Sequence, residues 1–163
     1  MKPVSECPHR SPMAVSDFVK DLIKDKKVCE LGCAEGDNIV FMSRYAKEVV
    51  GLEYDDSRLN VAIARGLSVT KGDYYKDDLP AADVYYFWPN DGVKDNEFLV
   101  NKIYSNDKFK GTIIVAGDTG FSPEPPTVKK GAEKWGGEIK EVEFNEGNGH
   151  RQSGTFILAI IVK

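Results

Sequence analysis

The sequence predicts one α/β domain, a doubly wound and mostly parallel sheet of about seven strands that ends in an antiparallel hairpin strand. Three observations predict it. Strand-like and helix-like segments alternate along most of the chain. A loop bounded by Gly32 and Gly36 joins the first strand-like run to a helix-like run. The last two strand-like runs have no helical segment between them, so they should pair antiparallel.

Residues 1–13, rich in Pro, Ser and charge, read as an N-terminal arm, and residues 14–163 as the domain. Val15, Phe18, Val19, Leu22 and Ile23 recur at helical spacing with Lys and Asp between them, which predicts an amphipathic helix ending near Asp25. Residues 27–31 read as the first strand, 36–46 as a helix and 48–53 as the second strand. A helix over 55–65 follows, with Asp55 or Asp56 as its cap, Leu59, Ala62 and Ile63 along one face, and Gly66 as its stop. Residues 67–70 form a short third strand. Residues 83–88 form the fourth, continuous and aromatic as a central strand should be. Its alternation sends Tyr85 and Phe87 to one face, and Tyr86 and Trp88 to the other. A helix over 95–105, a fifth strand over 111–117 and a helix over 126–135 come next, the last stopped by Gly136-Gly137. Residues 139–144 alternate and 154–162 are nearly all apolar, which makes the terminal hairpin.

The 163 residues suit one domain with one real core. No apolar run is long enough to span a bilayer and the first residues lack a signal-peptide core, so a soluble cytoplasmic protein is the expectation. The net charge of −4 comes from interspersed charges without a basic stripe, which disfavours nucleic acid as a partner. Three cysteines, Cys7, Cys29 and Cys33, fit a reducing compartment rather than a disulfide framework. With His9 they offer no CxxC or HxxxH spacing, so no metal site is expected. Nothing in the sequence sets the oligomeric state, monomer or homodimer.

In open α/β sheets the ligand sits beyond the carboxyl ends of the strands, so those ends carry the functional reading. The first is followed by Glu30-Leu31-Gly32-Cys33-Ala34-Glu35-Gly36, the second ends in Glu53-Tyr54, and the third in Gly72-Asp73-Tyr74. The fourth ends in Trp88-Pro89-Asn90-Asp91 and the fifth in Gly117-Asp118. Gly32 and Gly36 let the chain turn and let a ligand approach backbone N–H groups, and the helix opening at Gly36 points its positive dipole end at that ligand. Glu53 lies about 20 residues beyond Gly32, where an acid reaches ribose hydroxyls. A carboxylate suits a diol because it accepts both hydrogen bonds. Asp73 is placed to accept from an exocyclic amine such as adenine N6, or else caps the turn after Gly72. Tyr54, Tyr74 and Trp88 offer flat surface for a base, with Trp88 equally suited to the core.

On Glu30, Gly32 and Gly36, on Glu53 and on Gly72-Asp73, the chain resembles the class I S-adenosylmethionine-dependent methyltransferases, over about residues 14–163. The resemblance implies a Rossmann-like fold and S-adenosylmethionine as cofactor. It implies that Glu30 organises the loop or binds the methionine amino group, and that backbone at Gly32, Cys33 and Ala34 meets the methionine part. Glu53 would take the ribose diol and Asp73 adenine N6, with Tyr54 and Tyr74 flanking the ring. The middle glycine often found in this loop is Ala34 here, which fits if its φ is negative. Methyl transfer needs alignment and a dry site; a general base is needed only if the acceptor must lose a proton. Asp91, Asp118 and His150 are the candidates, in that order, because Asp91 follows the central strand.

Two other functions compete. A nicotinamide-dependent oxidoreductase needs G-x-G-x-x-G, and this loop has Gly32, Ala34 and Asp37 at those positions. A non-catalytic module that binds a partner or the cofactor without turnover would share every feature above. For the acceptor, Trp88-Pro89-Asn90-Asp91 departs from the [DN]-P-P-[YFW] segment that amino-methylating nucleic-acid enzymes resemble. A small molecule is therefore the leading acceptor and a protein side chain the next.

Overall fold

The computed structural model of the chain describes residues 13–89, 92–118, 124–145 and 153–163. The periodic segments fold largely where the pattern puts them. Short helices α1 (Met13–Phe18) and α2 (Lys20–Ile23) precede β1 (Lys27–Leu31), α3 (Asp37–Met42), β2 (Glu48–Glu53), α4 (Asp56–Ala64) and β3 (Val69–Lys71). Then come β4 (Val84–Phe87), α5 (Gly92–Tyr104), β5 (Thr112–Asp118), α6 (Glu124–Lys134), β6 (Glu138–Asn145) and β7 (Ser153–Val162).

The seven strands form one sheet in the order β3-β2-β1-β4-β5-β7-β6. β1 pairs in parallel with β2 and β4, and β7 runs antiparallel between β5 and β6. The terminal hairpin thus contributes one antiparallel strand, inserted inside β6 rather than added outside it. The order reverses between β1 and β4, and that switch point is where open α/β sheets bind ligands.

Each face of the sheet carries its own core. Val28, Tyr86, Ile114, Phe156 and Leu158 pack with Val15, Val19, Ile23, Ile39 and Met42 of α1–α3 and the turn within it. On the other face Leu31, Tyr85, Phe87, Ile113 and Ile157 pack with Leu99, Val100, Ile103, Val128 and Ala132 of α5 and α6. The predicted split of β4 holds, with Tyr86 and Trp88 on the first face and Tyr85 and Phe87 on the second. Every residue of β4 is buried, as befits a central strand. Each such large side chain stabilises the fold by about 1.5–3 kcal/mol relative to exposure.

Several boundaries differ from the sequence pattern, and three of them have a local reason. The first helix is two pieces, with Val19 (φ −91°, ψ 5°) between them, although bonds from the Val19 and Ile23 amides to the Val15 and Val19 carbonyls run through the break. α3 stops at Met42, where the Ser43 hydroxyl donates back to the Ile39 carbonyl. The third strand starts at Val69, because Leu67 is still bound to the end of α4 through the Ala62 carbonyl.

Candidate functional site

The carboxyl ends of β1, β2 and β3 enclose a cleft of about 420 Å³, lined by Gly32, Leu52, Glu53, Tyr54, Asp55, Asp73, Tyr74 and Tyr75. That volume lies in the ordinary range for a small-molecule site.

Parallel pairing sets the floor. β1 and β2 run in register, Leu31 beside Leu52, so the loop leaving β1 passes over the end of β2. The Gly32 and Cys33 amides donate to the Leu52 carbonyl at 2.8 and 3.2 Å. The Ala34 amide donates to Glu53 Oε2 at 2.7 Å, and the Gly36 amide turns back to the Cys33 carbonyl at 3.0 Å. Four of the loop's N–H groups are therefore already used inside the protein. This corrects the expectation that they stay open to a ligand. α3 has six residues, and its first turn holds the buried Asp37, whose carboxylate is paired with Arg65.

The loop repeatedly enters left-handed backbone: Gly32 at φ +73°, Ala34 at +49° and Gly36 at +87°. The glycines do so without cost. Ala34 does not meet the expectation of a negative φ, and its Cβ makes the conformation worse by about 1–2 kcal/mol. Other contacts must hold it there.

Glu53 is the hub. It is 8 % exposed, and its Oε1 accepts from the Tyr54 amide (3.0 Å) and the Asp55 amide (2.8 Å) while Oε2 holds Ala34. A carboxylate has about four lone-pair sites, so one acceptor position on Oε2 is left facing its surroundings. Glu30 is buried beneath the loop, and its Oε1 accepts from the Asn38 side chain at 2.8 Å. Through Asn38 it is tied to the start of α3.

The opposite wall is the segment after β3. Asp73 Oδ1 accepts from the Tyr75 amide at 2.8 Å, and its carbonyl takes the Lys76 and Asp77 amides, so Asp73 does cap the turn while also lining the cleft. Tyr74 is half-buried, and its hydroxyl donates to Asp95 Oδ2 at 2.9 Å. Asp95 is fully buried on α5. Lys102, further along α5, donates to the Tyr74 and Asp77 carbonyls at 2.8 and 2.6 Å. Tyr54 is 69 % exposed at the mouth. The Tyr75 ring lies between those of Tyr74 and Phe98, 5.0 and 4.9 Å away. Asp55 caps α4, and hydrogen bonds from the Ser57 hydroxyl and then the Arg58 amide hold its carboxyl below the usual carboxylate value.

The remaining sequence-selected residues fall elsewhere. Trp88 is partly buried, packs edge-on against Phe156 (5.3 Å) and is not among the residues lining the cleft. Gly72 sits behind the cleft, where an added Cβ would meet Leu52 Cδ1 at 2.5 Å. Cys33 and Cys29 are buried in cores on opposite faces of the sheet and form no disulfide. Burial, and then the neighbouring Glu30, pushes the Cys29 thiol up to about 12. Asp91 and His150 lie outside the described residues, as does the Asp118 side chain, although the Asp118 backbone ends β5. Among the described residues no helix is long and apolar enough to cross a membrane.

Sequence reasoning missed Asp95, Lys102, Tyr75 and Arg65. A buried acid in the first turn of α5 looks like an ordinary helix cap, and only the fold brings it against Tyr74.

A seven-stranded sheet in this order, with its one antiparallel strand, is the fold of the class I methyltransferases. Residues 14–86 match the family model described as methionine biosynthesis protein MetW. The solved structure of precorrin-6y C5,15-methyltransferase from Geobacter metallireducens is similar at TM-score 0.69 and 14% identity, covering 100% of this chain and 93% of that one. Precorrin 8w decarboxylase from Methanobacterium thermoautotrophicum gives 0.69 and 18%, covering 100% of both. A putative O-methyltransferase from Klebsiella pneumoniae gives 0.65 and 15%, covering 96% and 84%. At these identities the likeness is one of fold, and the decarboxylase among the three marks the difference between fold and chemistry. A search of curated protein sequences finds no match to the chain.

Proposed function

We propose that this chain is an S-adenosylmethionine-dependent methyltransferase acting on a small molecule. The observation that carries the reading is Glu53, one carboxylate that ties the β1 loop to the end of β2 and still presents an acceptor position in the cleft. A ribose hydroxyl fits that position. Asp73 suits the adenine amine, and the Tyr54 and Tyr74 rings suit the faces of the base. Loop carbonyls, with Glu30 beneath them, suit the ammonium end of the methionine part.

Charge separates this reading from a dinucleotide. A pyrophosphate needs open N–H groups, and those of Gly32, Cys33, Ala34 and Gly36 are used within the protein. The cleft instead offers carboxylates from Glu53, Asp55 and Asp73, which favour a cationic ligand. The cofactor brings a methyl group on a sulfonium centre, open to in-line displacement. The chain's part is to hold it in place and keep water away. Asp91, followed by Asp118 and His150, is the candidate base for an acceptor that must lose a proton.

The acidic mouth and net charge of −4 support a small molecule over nucleic acid. The test is incubation with methyl-labelled S-adenosylmethionine and a cell lysate, followed by mass spectrometry of the separated fractions. Label in small molecules is the expected result, and label in protein would move the acceptor to a side chain. Cofactor binding without transfer to any fraction would favour the non-catalytic module.

A further inference from the structure

Ala34 needs an explanation that the cleft alone does not supply. Its amide is fixed by Glu53 Oε2, and one residue further on the Glu35 carbonyl is fixed as well, by Arg65 Nη1 at 2.7 Å. The same guanidinium nitrogen donates to Asp37 Oδ1 at 2.9 Å. The Asp37 side chain is 3% exposed and that of Arg65 11%, so the pair works in a dry setting where such bonds are strong.

The two clamps come from consecutive elements. Glu53 ends β2, and Arg65 is the C-cap of α4, the next element in the chain. One strand–helix unit therefore grips the β1 loop at two points, the Ala34 amide and the Glu35 carbonyl. Those points bracket the torsions of Ala34. Gly32 and Gly36 reach left-handed backbone unaided; an alanine stays there because it is held.

We propose that Arg65, which lines no part of the cleft, is a positioning residue for the cofactor loop, acting with Glu53 to keep Ala34 left-handed. The inference rests on the functional reading above for its ligand but not for its mechanics. Its consequence is that affinity for an adenosyl ligand depends on a residue the ligand does not touch.

The test compares wild type with Arg65→Lys and with the pair Arg65→Gln and Asp37→Asn, which removes the clamp without stranding a buried charge. Two readouts are taken on the folded proteins, amide hydrogen exchange across the loop and calorimetric affinity for S-adenosylhomocysteine. Loop exchange should rise about tenfold while β5 and β7 stay protected, and Kd should rise about tenfold, the scale of one charge-assisted hydrogen bond. Adding Ala34→Gly should bring Kd back to within about threefold of wild type, since glycine needs no clamp. Unchanged loop exchange and Kd would overturn the proposal. So would exchange rising evenly across the sheet, or a glycine that restores nothing. Should wild type bind no adenosyl compound, the functional reading falls, and the exchange measurement alone upholds or overturns the clamp.

Discussion

On the β1–β2 side of the cleft, polar groups are tied to buried carboxylates: Glu53 holds three backbone amides and Glu30 the Asn38 side chain. On the β3 side the wall is aromatic, half-buried to exposed, and held from behind by Asp95 and Lys102 of α5. The first wall is preorganised polar structure, in which each acceptor is committed in part to the fold. The second is flat surface positioned by a helix on the other side of the sheet. A polar wall fixes orientation and an aromatic wall supplies contact area, which is the division of labour a nucleoside needs.

The largest expected effect breaks the first wall. Glu53→Ala leaves the Ala34 amide without its acceptor and removes the carboxylate proposed to take the ribose. Loss of about 1–3 kcal/mol is expected both in folding stability, by denaturant titration, and in adenosyl affinity, by calorimetry. Glu53→Gln keeps one acceptor oxygen and should lose less of both. Unchanged affinity in a folded Glu53→Ala protein would show the ribose assignment to be wrong.

The second wall should respond less. Tyr74→Phe removes the hydroxyl donor to Asp95 while keeping the ring. A stability loss of about 1 kcal/mol is expected, with affinity changed less than in Glu53→Ala. Asp73→Asn keeps an acceptor for the Tyr75 amide and so should fold normally. Its affinity should still fall by about 1 kcal/mol if the carboxylate takes the adenine amine. An Asn variant that binds as wild type does would leave Asp73 as a turn cap alone.

The last effect is confined to alkali and leaves neutral-pH stability untouched. The Cys29 thiol is raised from 9.0 to about 12 by burial and then Glu30, and the Tyr85 hydroxyl from 10.0 to about 12 by burial first. In both cases the folded state keeps a proton that the unfolded chain loses. Their contribution is complete below pH 9 and is lost as pH rises towards about 12. Denaturant titrations should show stability falling across that window, less steeply in Cys29→Ala. Native Cys29 should also resist alkylation at pH 8 until the protein unfolds.

The strand ends were legible in the sequence because they follow local patterns. Lys27–Leu31 and Glu48–Glu53 fold where the sequence reading puts strands, and Glu53 reaches the loop because parallel pairing sets the end of β2 beside the end of β1. What was not legible depends on partners distant in sequence. Ala34 has a positive φ because Glu53 and Arg65 impose it, and a single alanine in a loop carries no sign of that. The loop amides seemed open to a ligand because the Leu52 carbonyl that takes two of them belongs to another strand. Trp88 at the end of β4 suited pocket and core equally, and its contact with Phe156 depends on a strand distant in sequence.

The most direct test of the central claim, that the cleft is built for an adenosyl ligand rather than a dinucleotide, is calorimetry of the wild-type chain with S-adenosylmethionine, S-adenosylhomocysteine and NAD in parallel. Both adenosyl compounds should bind and NAD should not, because the loop amides a pyrophosphate would need are already taken. Binding of NAD alone would contradict the account.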